Sequence, residues 1–120
     1  MKTSVQVCCF IAAFFCSTPL LVNATPDPAS VELREKYNLD KGKKVYEKVC
    51  ANCHGTGVLE APEFCNISAW KPRIAKGMAV LVQHTIQGFR QMPPKGGDTE
   101  FNEAEDANAV AYMVDQCLIH

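Results

Sequence analysis

The sequence lacks an excess of charge of either sign: its 120 residues include 12 Lys and Arg against 13 Asp and Glu, a net charge of -1 at pH 7. A strongly basic surface, which would attract nucleic acids or anionic membranes, is therefore not expected. Strand-like alternation, internal repeats and low-complexity tracts are also missing, and the apolar residues recur at helical spacing instead. The predicted fold class is all-α.

The start of the chain predicts export. Lys2 is followed by an apolar run over residues 5–22, and Ala24 then lies at a position that a signal peptidase reads. Residues 1–24 are therefore predicted to be a secretory signal peptide, cleaved after Ala24, which leaves no stable membrane span. The alternative is an uncleaved anchor, because the run is about long enough to cross a bilayer. A lipid attached at Cys16 is less favoured, since bulky residues precede that cysteine.

The rest of the chain is short and needs a means of holding its fold. Residues 25–38 are predicted to be an N-terminal lead-in, and residues 39–120 a single domain. A chain of this size buries only about 60% of its unfolded surface, and a bound cofactor is one way to add stability. In an oxidising compartment each cysteine should also have a partner. The cysteines that follow the predicted signal are Cys50, Cys53, Cys65 and Cys117.

Apolar spacing and capping residues predict four helices in this domain. Ser68 is expected to cap the second helix, and Gly77 and Gly88 to bound the third. Asn102 and Glu105 have the spacing of a capping box and are expected to open the fourth. The predicted ranges are 39–54, 68–74, 78–87 and 103–117.

The segment Cys50-Ala51-Asn52-Cys53-His54 carries the strongest chemical signal. Two thiols three residues apart lie on one face of a helical turn and can form thioether bonds with the two vinyl groups of one haem, and His54 then lies under the iron as its proximal ligand. A zinc site would need a second ligand pair at short spacing, but Cys65 and Cys117 are 52 positions apart. A thioredoxin-like redox pair would need βαβ patterning, which is absent. One covalent haem c with its iron is predicted.

Met92 is predicted to be the distal ligand of that iron. It lies in the loop segment QMPPKGG, in which consecutive prolines restrict the backbone. Met113 lies on the apolar stripe of the last predicted helix and is expected to fill the core, whereas Met78 begins a helix. His84 and His120 are the other candidates, although a lone histidine on a helix is seldom a ligand.

A thioether opposite a histidine fills the coordination sphere of the iron and raises its reduction potential. With no open position, peroxide or oxygen would have nowhere to bind, and electron transfer is predicted rather than catalysis. The alternative is a haem enzyme or gas sensor in which Met92 dissociates easily, although no distal catalytic side chain stands out in the sequence.

Four separated segments carry a family resemblance. They read GKKVYEKVCANCHGTGVLEAPEF, AWKPRIAKGM, MPPKGG and AYMV, in that order. With them the sequence resembles class I c-type cytochromes and, more narrowly, the bacterial cytochrome c5 group. The resemblance implies a compact fold of about four to five helices around one haem. It also implies a monomeric carrier of single electrons in the periplasm, which passes electrons between redox proteins of a respiratory chain.

The resemblance further implies particular contacts. The first and last helices of the domain would cross where Gly42 and Tyr46 meet Tyr112. Trp70 and Arg73 match the stretch that lies near the haem propionates in such proteins, and both side chains are suitable donors to a carboxylate. The alternatives are an ordinary core tryptophan and a solvated arginine.

The cysteines depart from the c5 pattern. Members of that group carry a Cys-x-x-Cys disulfide after the MPPKG segment, whereas residues 97–101 contain no cysteine. Cys65 and Cys117 are left, and they either pair with each other, remain buried thiols, or form an intermolecular bridge.

Charges separate along the domain. Residues 98–106 contain five acidic and no basic side chains, whereas residues 71–95 contain basic side chains and no acidic one. In the fold that the resemblance implies, the basic stretch frames the haem and would steer acidic docking surfaces of partner proteins. The alternative is ordinary solvated surface. The basic residues are Lys71, Arg73, Lys76, Arg90 and Lys95.

Overall fold

The computed structural model describes residues 25–119, so the predicted signal peptide at residues 1–24 and the candidate ligand His120 lie outside the described residues. Its helices are α1 Pro28–Lys36, α2 Leu39–Val45, α3 Ala51–His54, α4 Ile67–Ile74, α5 Met78–Gln87 and α6 Glu103–Leu118. A π-helical turn, Tyr46–Cys50, joins α2 and α3 into one continuous helix, and two short 3-10 turns are Val58–Glu60 and Pro94–Gly97.

The regular secondary structure of residues 25–119 is helical, and the only β pairing in this range is an isolated bridge between Phe89 and Met92. The all-α prediction is confirmed. Counted with α2, the π turn and α3 as one helix, the described part of the chain has five helices, within the expected four to five. None of the helices in residues 25–119 has the length and apolarity required to cross a bilayer.

Helix α1 was not predicted from the sequence, which suggested a lead-in here. Pro28 occupies the first turn, where its missing N–H is not needed, and Asp27 caps the helix by accepting from the Ala29 N–H at 2.8 Å. Leu33 is buried and packs in the core cluster with residues of α6. The same proline that suggested an irregular segment is therefore part of a helix start.

A buried carboxylate fastens α1 to α6. Asp115 is fully buried and accepts from the Ser30 hydroxyl at 2.5 Å and from the Arg34 guanidinium at 3.0 Å. Burial by itself would raise the pKa of Asp115, but the hydrogen bonds from Arg34 and Ser30 outweigh it and lower that pKa below its usual value. The ionised carboxylate is thus the form that holds the two helices together.

We expect Ser30→Ala to lower the free energy of unfolding by about 1–3 kcal/mol at neutral pH, because it removes a buried hydrogen bond to a charged group. A group whose pKa is lowered by folding stabilises the fold above its unfolded pKa, which is about 3.9 for Asp. That contribution is lost as the pH falls through the lower folded value. The difference between wild type and Ser30→Ala should therefore shrink in acid.

Denaturant unfolding at neutral pH and at about pH 3 measures the difference in unfolding free energy between wild type and Ser30→Ala. Ser68→Ala is the matched control, since Ser68 is exposed on α4. A Ser30→Ala variant as stable as this control at neutral pH would contradict the role given to Asp115.

The crossing of α2 and α6 forms the centre of the fold. A Cβ atom placed on Gly42 would lie 2.0 Å from the backbone oxygen of Asn108, so the two backbones are in direct contact there. One turn later the ring of Tyr46 packs against those of Phe64 and Tyr112, with centroid distances of 4.6 and 5.6 Å. The expected meeting of Gly42 and Tyr46 with the last helix near Tyr112 is confirmed.

The other predicted helices are found, with one correction. Helix α5 has the predicted bounds, and α6 opens with the predicted capping box of Asn102 and Glu105. Helix α4, however, begins earlier: Asn66, not Ser68, is the cap, accepting from the Ala69 N–H at 3.1 Å. Asn and Ser are equally good caps, and the sequence offered both within three positions.

Cys65 and Cys117 are thiols in this structure. Cys117 is buried at the end of α6, and burial raises its pKa to about 11. The Cys65 Sγ lies 3.8 Å from the carbonyl oxygen of Gln116, so the loop that carries Cys65 packs against the same end of α6. Pairing of the two cysteines with each other stays one of the three alternatives that the sequence left open.

Candidate functional site

A cavity of ≈ 530 Å³ opens between the helix that carries the Cys-x-x-Cys-His segment, helices α4 and α5, the Met92 loop and α6. Its wall combines aliphatic and aromatic side chains with a few polar groups, and its volume falls within the ~300–1,000 Å³ range of cofactor pockets. The sequence-predicted site residues all line this one cavity. They are Cys50, Cys53, His54, Trp70, Arg73 and Met92.

The orientation of His54 is fixed by the loop that follows it. Its Nδ1 lies 2.9 Å from the carbonyl oxygen of Pro62, which assigns the proton to Nδ1 and leaves Nε2 as a free electron pair. Burial lowers the pKa of His54, with the contact to Pro62 opposing the shift, so the ring is neutral. A neutral imidazole whose second nitrogen donates to a carbonyl is the usual form of a metal-binding histidine.

The chemistry of Cys50 argues against a redox or zinc-binding thiolate. Burial raises the pKa of its thiol to about 11, and the nearby Asp106 adds to the shift. A reactive or metal-binding cysteine has the opposite tendency, because the thiolate is the active form. Among residues 25–119 there is also no group of three or more His, Cys, Asp or Glu side chains that could hold a metal ion by themselves.

Met92 is held by its backbone. Its N–H and C=O both bond to Phe89 at 3.0 Å, closing a tight turn in which Arg90 has a φ of +55°. Pro93 and Pro94 follow directly and restrict the next two φ angles. The loop therefore presents the Met92 thioether from a fixed backbone, as the prolines led us to expect.

The alternative ligands have different surroundings. Met113 also lines the cavity, but it is only 3% exposed and belongs to the hydrophobic core, as predicted. Met78 packs against the core and is not part of the cavity wall. His84 lines the cavity with its ring stacked on Phe89 at a centroid distance of 4.0 Å. The choice of Met92 over these stays a prediction.

Trp70 and Arg73 both line the cavity, but the Trp70 indole N–H and one of the Arg73 N–H groups already donate to backbone carbonyls. The Trp70 indole N–H donates to the carbonyl oxygen of Glu63 at 2.8 Å, and an Arg73 N–H donates to the carbonyl oxygen of Ala69. Trp70 is buried and its ring packs beside His54, with 5.9 Å between centroids. Arg73 keeps further N–H groups for a carboxylate, whereas Trp70 has none.

Asp106 is a member of this site that the motifs in the sequence did not indicate. It lies in the first turn of α6, where an acidic residue ordinarily stabilises the helix dipole and is solvated. Asp106 is instead 3% exposed and lines the cavity. The available signal was its position four and seven residues before Val110 and Met113, which places all three on one face of α6.

These residues suit a haem bound through two thioether bonds. A mostly apolar cavity, two cysteines on consecutive turns of one helix, a neutral histidine with Nε2 free and a thioether on a rigid loop are the groups that such a cofactor requires.

Comparisons with known proteins agree with this chemistry. Residues 38–113 match the family described as cytochrome C oxidase, cbb3-type, subunit III. The chain is 45% identical over 84 residues to cytochrome c-555 of Chlorobaculum tepidum, covering 67% of this chain and 78% of the relative. It is 39% identical over 74 residues to cytochrome c5 of Azotobacter vinelandii, covering 60% of this chain and 89% of the relative.

A solved structure is also similar. A chain in the crystal structure of an electron transfer complex of nitrite reductase with cytochrome c superposes with a TM-score of 0.61 at 36% identity. The superposition covers 78% of the present chain and 99% of that chain. The similarity therefore extends over almost the whole of the matched chain and includes sequence as well as fold.

Proposed function

We propose, from the premise that this chain belongs to the class I c-type cytochromes and is c5-like, that it carries single electrons with His54 and Met92 as the axial ligands of its iron. Its cofactor is covalent haem c, and like its relatives it is an electron carrier rather than an enzyme. The observation that carries the proposed ligation is the meeting of Cys50, Cys53, His54 and Met92 at one cavity.

The role of each side chain follows from its surroundings. When bound, the haem supplies a couple of Fe(II) and Fe(III). Cys50 and Cys53 hold the group by thioether bonds, and His54 offers Nε2 because its Nδ1 is engaged with Pro62. Met92 offers a thioether from a backbone closed by two hydrogen bonds. Because the His54 ring and the Met92 backbone are each held by hydrogen bonds, a change in the valence of the iron would require little rearrangement of the protein.

The rim of the cavity supports docking of redox proteins. Val58, Leu59 and Phe89 are large apolar side chains that line the cavity and remain exposed, at 45%, 61% and 41%. Apolar groups surrounded by charge are typical of interfaces between proteins. The basic side chains that line the same cavity are Arg73, Lys76, Arg90 and Lys95.

We propose on this basis that the protein works as a monomer in the periplasm, after removal of residues 1–24, and exchanges electrons with respiratory proteins that present acidic surfaces. The basic rim supports this reading, because opposite charges accelerate encounter and the acceleration weakens with salt. The similar chain in a complex with nitrite reductase also supports a partner that is itself a redox protein.

An absorption spectrum tests the proposed ligation. We expect oxidised protein to show the weak band near the red end that marks an Fe(III)–thioether bond. Reduced protein should not change when carbon monoxide is added, since both axial positions are filled. Rapid binding of carbon monoxide would instead indicate a sensor or enzyme with an open position, and would rule out the closed six-coordinate carrier.

A further inference from the structure

Asp106 is a buried carboxylate whose surroundings need an explanation. Its Oδ2 atom is buried and has no hydrogen-bond partner among the described residues. The nearest opposite charge is the Lys95 ammonium, 3.6 Å from that oxygen. Burying a charged oxygen that accepts no hydrogen bond is unfavourable. The burial of this carboxylate therefore suggests that its charge has a functional role.

Lys95 connects this carboxylate to the Met92 loop. It lies three residues after Met92, and its ammonium donates to the carbonyl oxygen of Phe101 at 2.9 Å. The side chain is only 23% exposed, and the backbone is held at a φ of +55°. This backbone conformation is energetically unfavourable for an L-residue, so the surrounding fold must hold it. The contacts with Phe101 and Asp106 then fix the position of the ammonium.

The pair lies at the wall of the cofactor cavity. Both side chains line the cavity, and Asp106 is near enough to Cys50 to raise the pKa of its thiol. Burial raises the pKa of Asp106 itself, and Lys95 opposes that shift, whereas the negative charges of Glu105 and Asp98 add to it. Among residues 25–119, Lys95 is the basic group that lowers the pKa of this carboxylate.

A fixed charge at such a wall has a definite effect on an oxidation-reduction equilibrium. A carboxylate favours the more positive, oxidised form of the group that the cavity holds, and an ammonium favours the reduced form. Burial strengthens both effects, because screening by water is weak there.

We propose that Lys95 and Asp106 form a pair of opposed charges at the cavity wall that sets the reduction potential of this cytochrome, Asp106 lowering it and Lys95 raising it. The inference rests on the proposed function, since it assumes an electron carrier with its cofactor in this cavity. Each member partly cancels the other, and the potential therefore depends on how closely the Met92 loop holds Lys95 against α6.

A double-mutant cycle on the full, haem-loaded protein tests the proposal. Asp106→Asn removes a negative charge at nearly constant shape, and we expect the midpoint potential to rise. Lys95→Gln removes the positive charge, and we expect it to fall. Each change should alter the electron-exchange equilibrium with a reference couple about tenfold, which corresponds to ~59 mV. The double variant should return close to wild type, and Lys95→Arg should retain the wild-type potential.

The control is Lys48→Gln, which breaks the exposed ion pair of Lys48 and Glu100. It changes the charge by one unit at a solvated site, so its effect should be several-fold smaller. Opposite shifts in the two single variants support the proposal. Shifts of the same sign, or shifts no larger than that of the control, overturn it, because a merely structural pair would alter stability without this sign pattern.

The outcome does not depend on every variant folding. If Asp106→Asn is unstable, the two Lys95 variants still test the role of charge. A lowered midpoint potential in Lys95→Gln, with an unchanged one in Lys95→Arg, supports that role. Equal midpoint potentials in these two variants overturn it. Failure of the proposed function looks different. Wild-type protein would then lack the Fe(III)–thioether band, whereas failure of this inference leaves that band in place in wild type and shows only in the potentials.

Discussion

Met92→Ala is expected to abolish the Fe(III)–thioether band and to make the reduced protein bind carbon monoxide. Removing the thioether leaves one axial position of the iron open, and the two hydrogen bonds between Phe89 and Met92 keep the backbone of the loop in place. Because a thioether ligand favours Fe(II), the midpoint potential should also fall, with at least a tenfold change in the electron-exchange equilibrium, or about 59 mV.

Met113→Leu is the matched control for this experiment. Met113 is the other methionine that lines the cavity, but it is buried in the core, and Leu conserves its volume. This variant should keep the band and exclude carbon monoxide. If Met92→Ala keeps the band, another methionine supplies the thioether, and loss of the band in Met113→Leu would then identify Met113 as that ligand.

Gly42→Ala is expected to lower the free energy of unfolding by about 2–3 kcal/mol, although Ala is ordinarily the better helix former by ~1 kcal/mol. The added Cβ would lie 2.0 Å from the Asn108 backbone oxygen, and a backbone atom cannot turn aside as a flexible side chain can. Helices α2 and α6 must therefore separate, and the contact between the rings of Tyr46 and Tyr112 is lost as a result.

Denaturant unfolding followed by far-ultraviolet circular dichroism measures this loss. Lys41→Ala is the matched control, because Lys41 is an exposed neighbour on the same helix and its truncation should change stability by no more than about 0.5 kcal/mol. An equal midpoint for the two variants would show that the crossing tolerates a side chain and that the closeness of the backbones is not required.

Local signals in the sequence were sufficient for several elements. Helix α5 has its predicted bounds because Gly77 and Gly88 end the helical pattern on both sides. The capping box of Asn102 and Glu105 located the start of α6 in the same way. The cavity brings together every residue that the motifs had singled out, because the Cys-x-x-Cys-His segment and the proline-rich loop each fix their own local geometry.

Features that depend on distant contacts were not predictable. Helix α1 forms where a lead-in was expected, since its main support is a carboxylate 85 positions later in the chain. The burial of Asp106 depends on the packing of α6 against the Met92 loop, which no local pattern reveals. A separate difference is local: the Trp70 indole N–H and one Arg73 N–H donate to nearby backbone carbonyls, which the family resemblance did not imply.

The π-helical turn at Tyr46–Cys50 sets the rotational phase of the helix that contains it. A π turn holds about one residue more than an α turn, so everything after it is rotated by roughly 100° from where an uninterrupted α-helix would place it. The face that meets α6 at Gly42 and the face that carries Cys53 and His54 are therefore set independently. The extra residue of the π turn lets one continuous helix present one face to α6 and another face to the cavity.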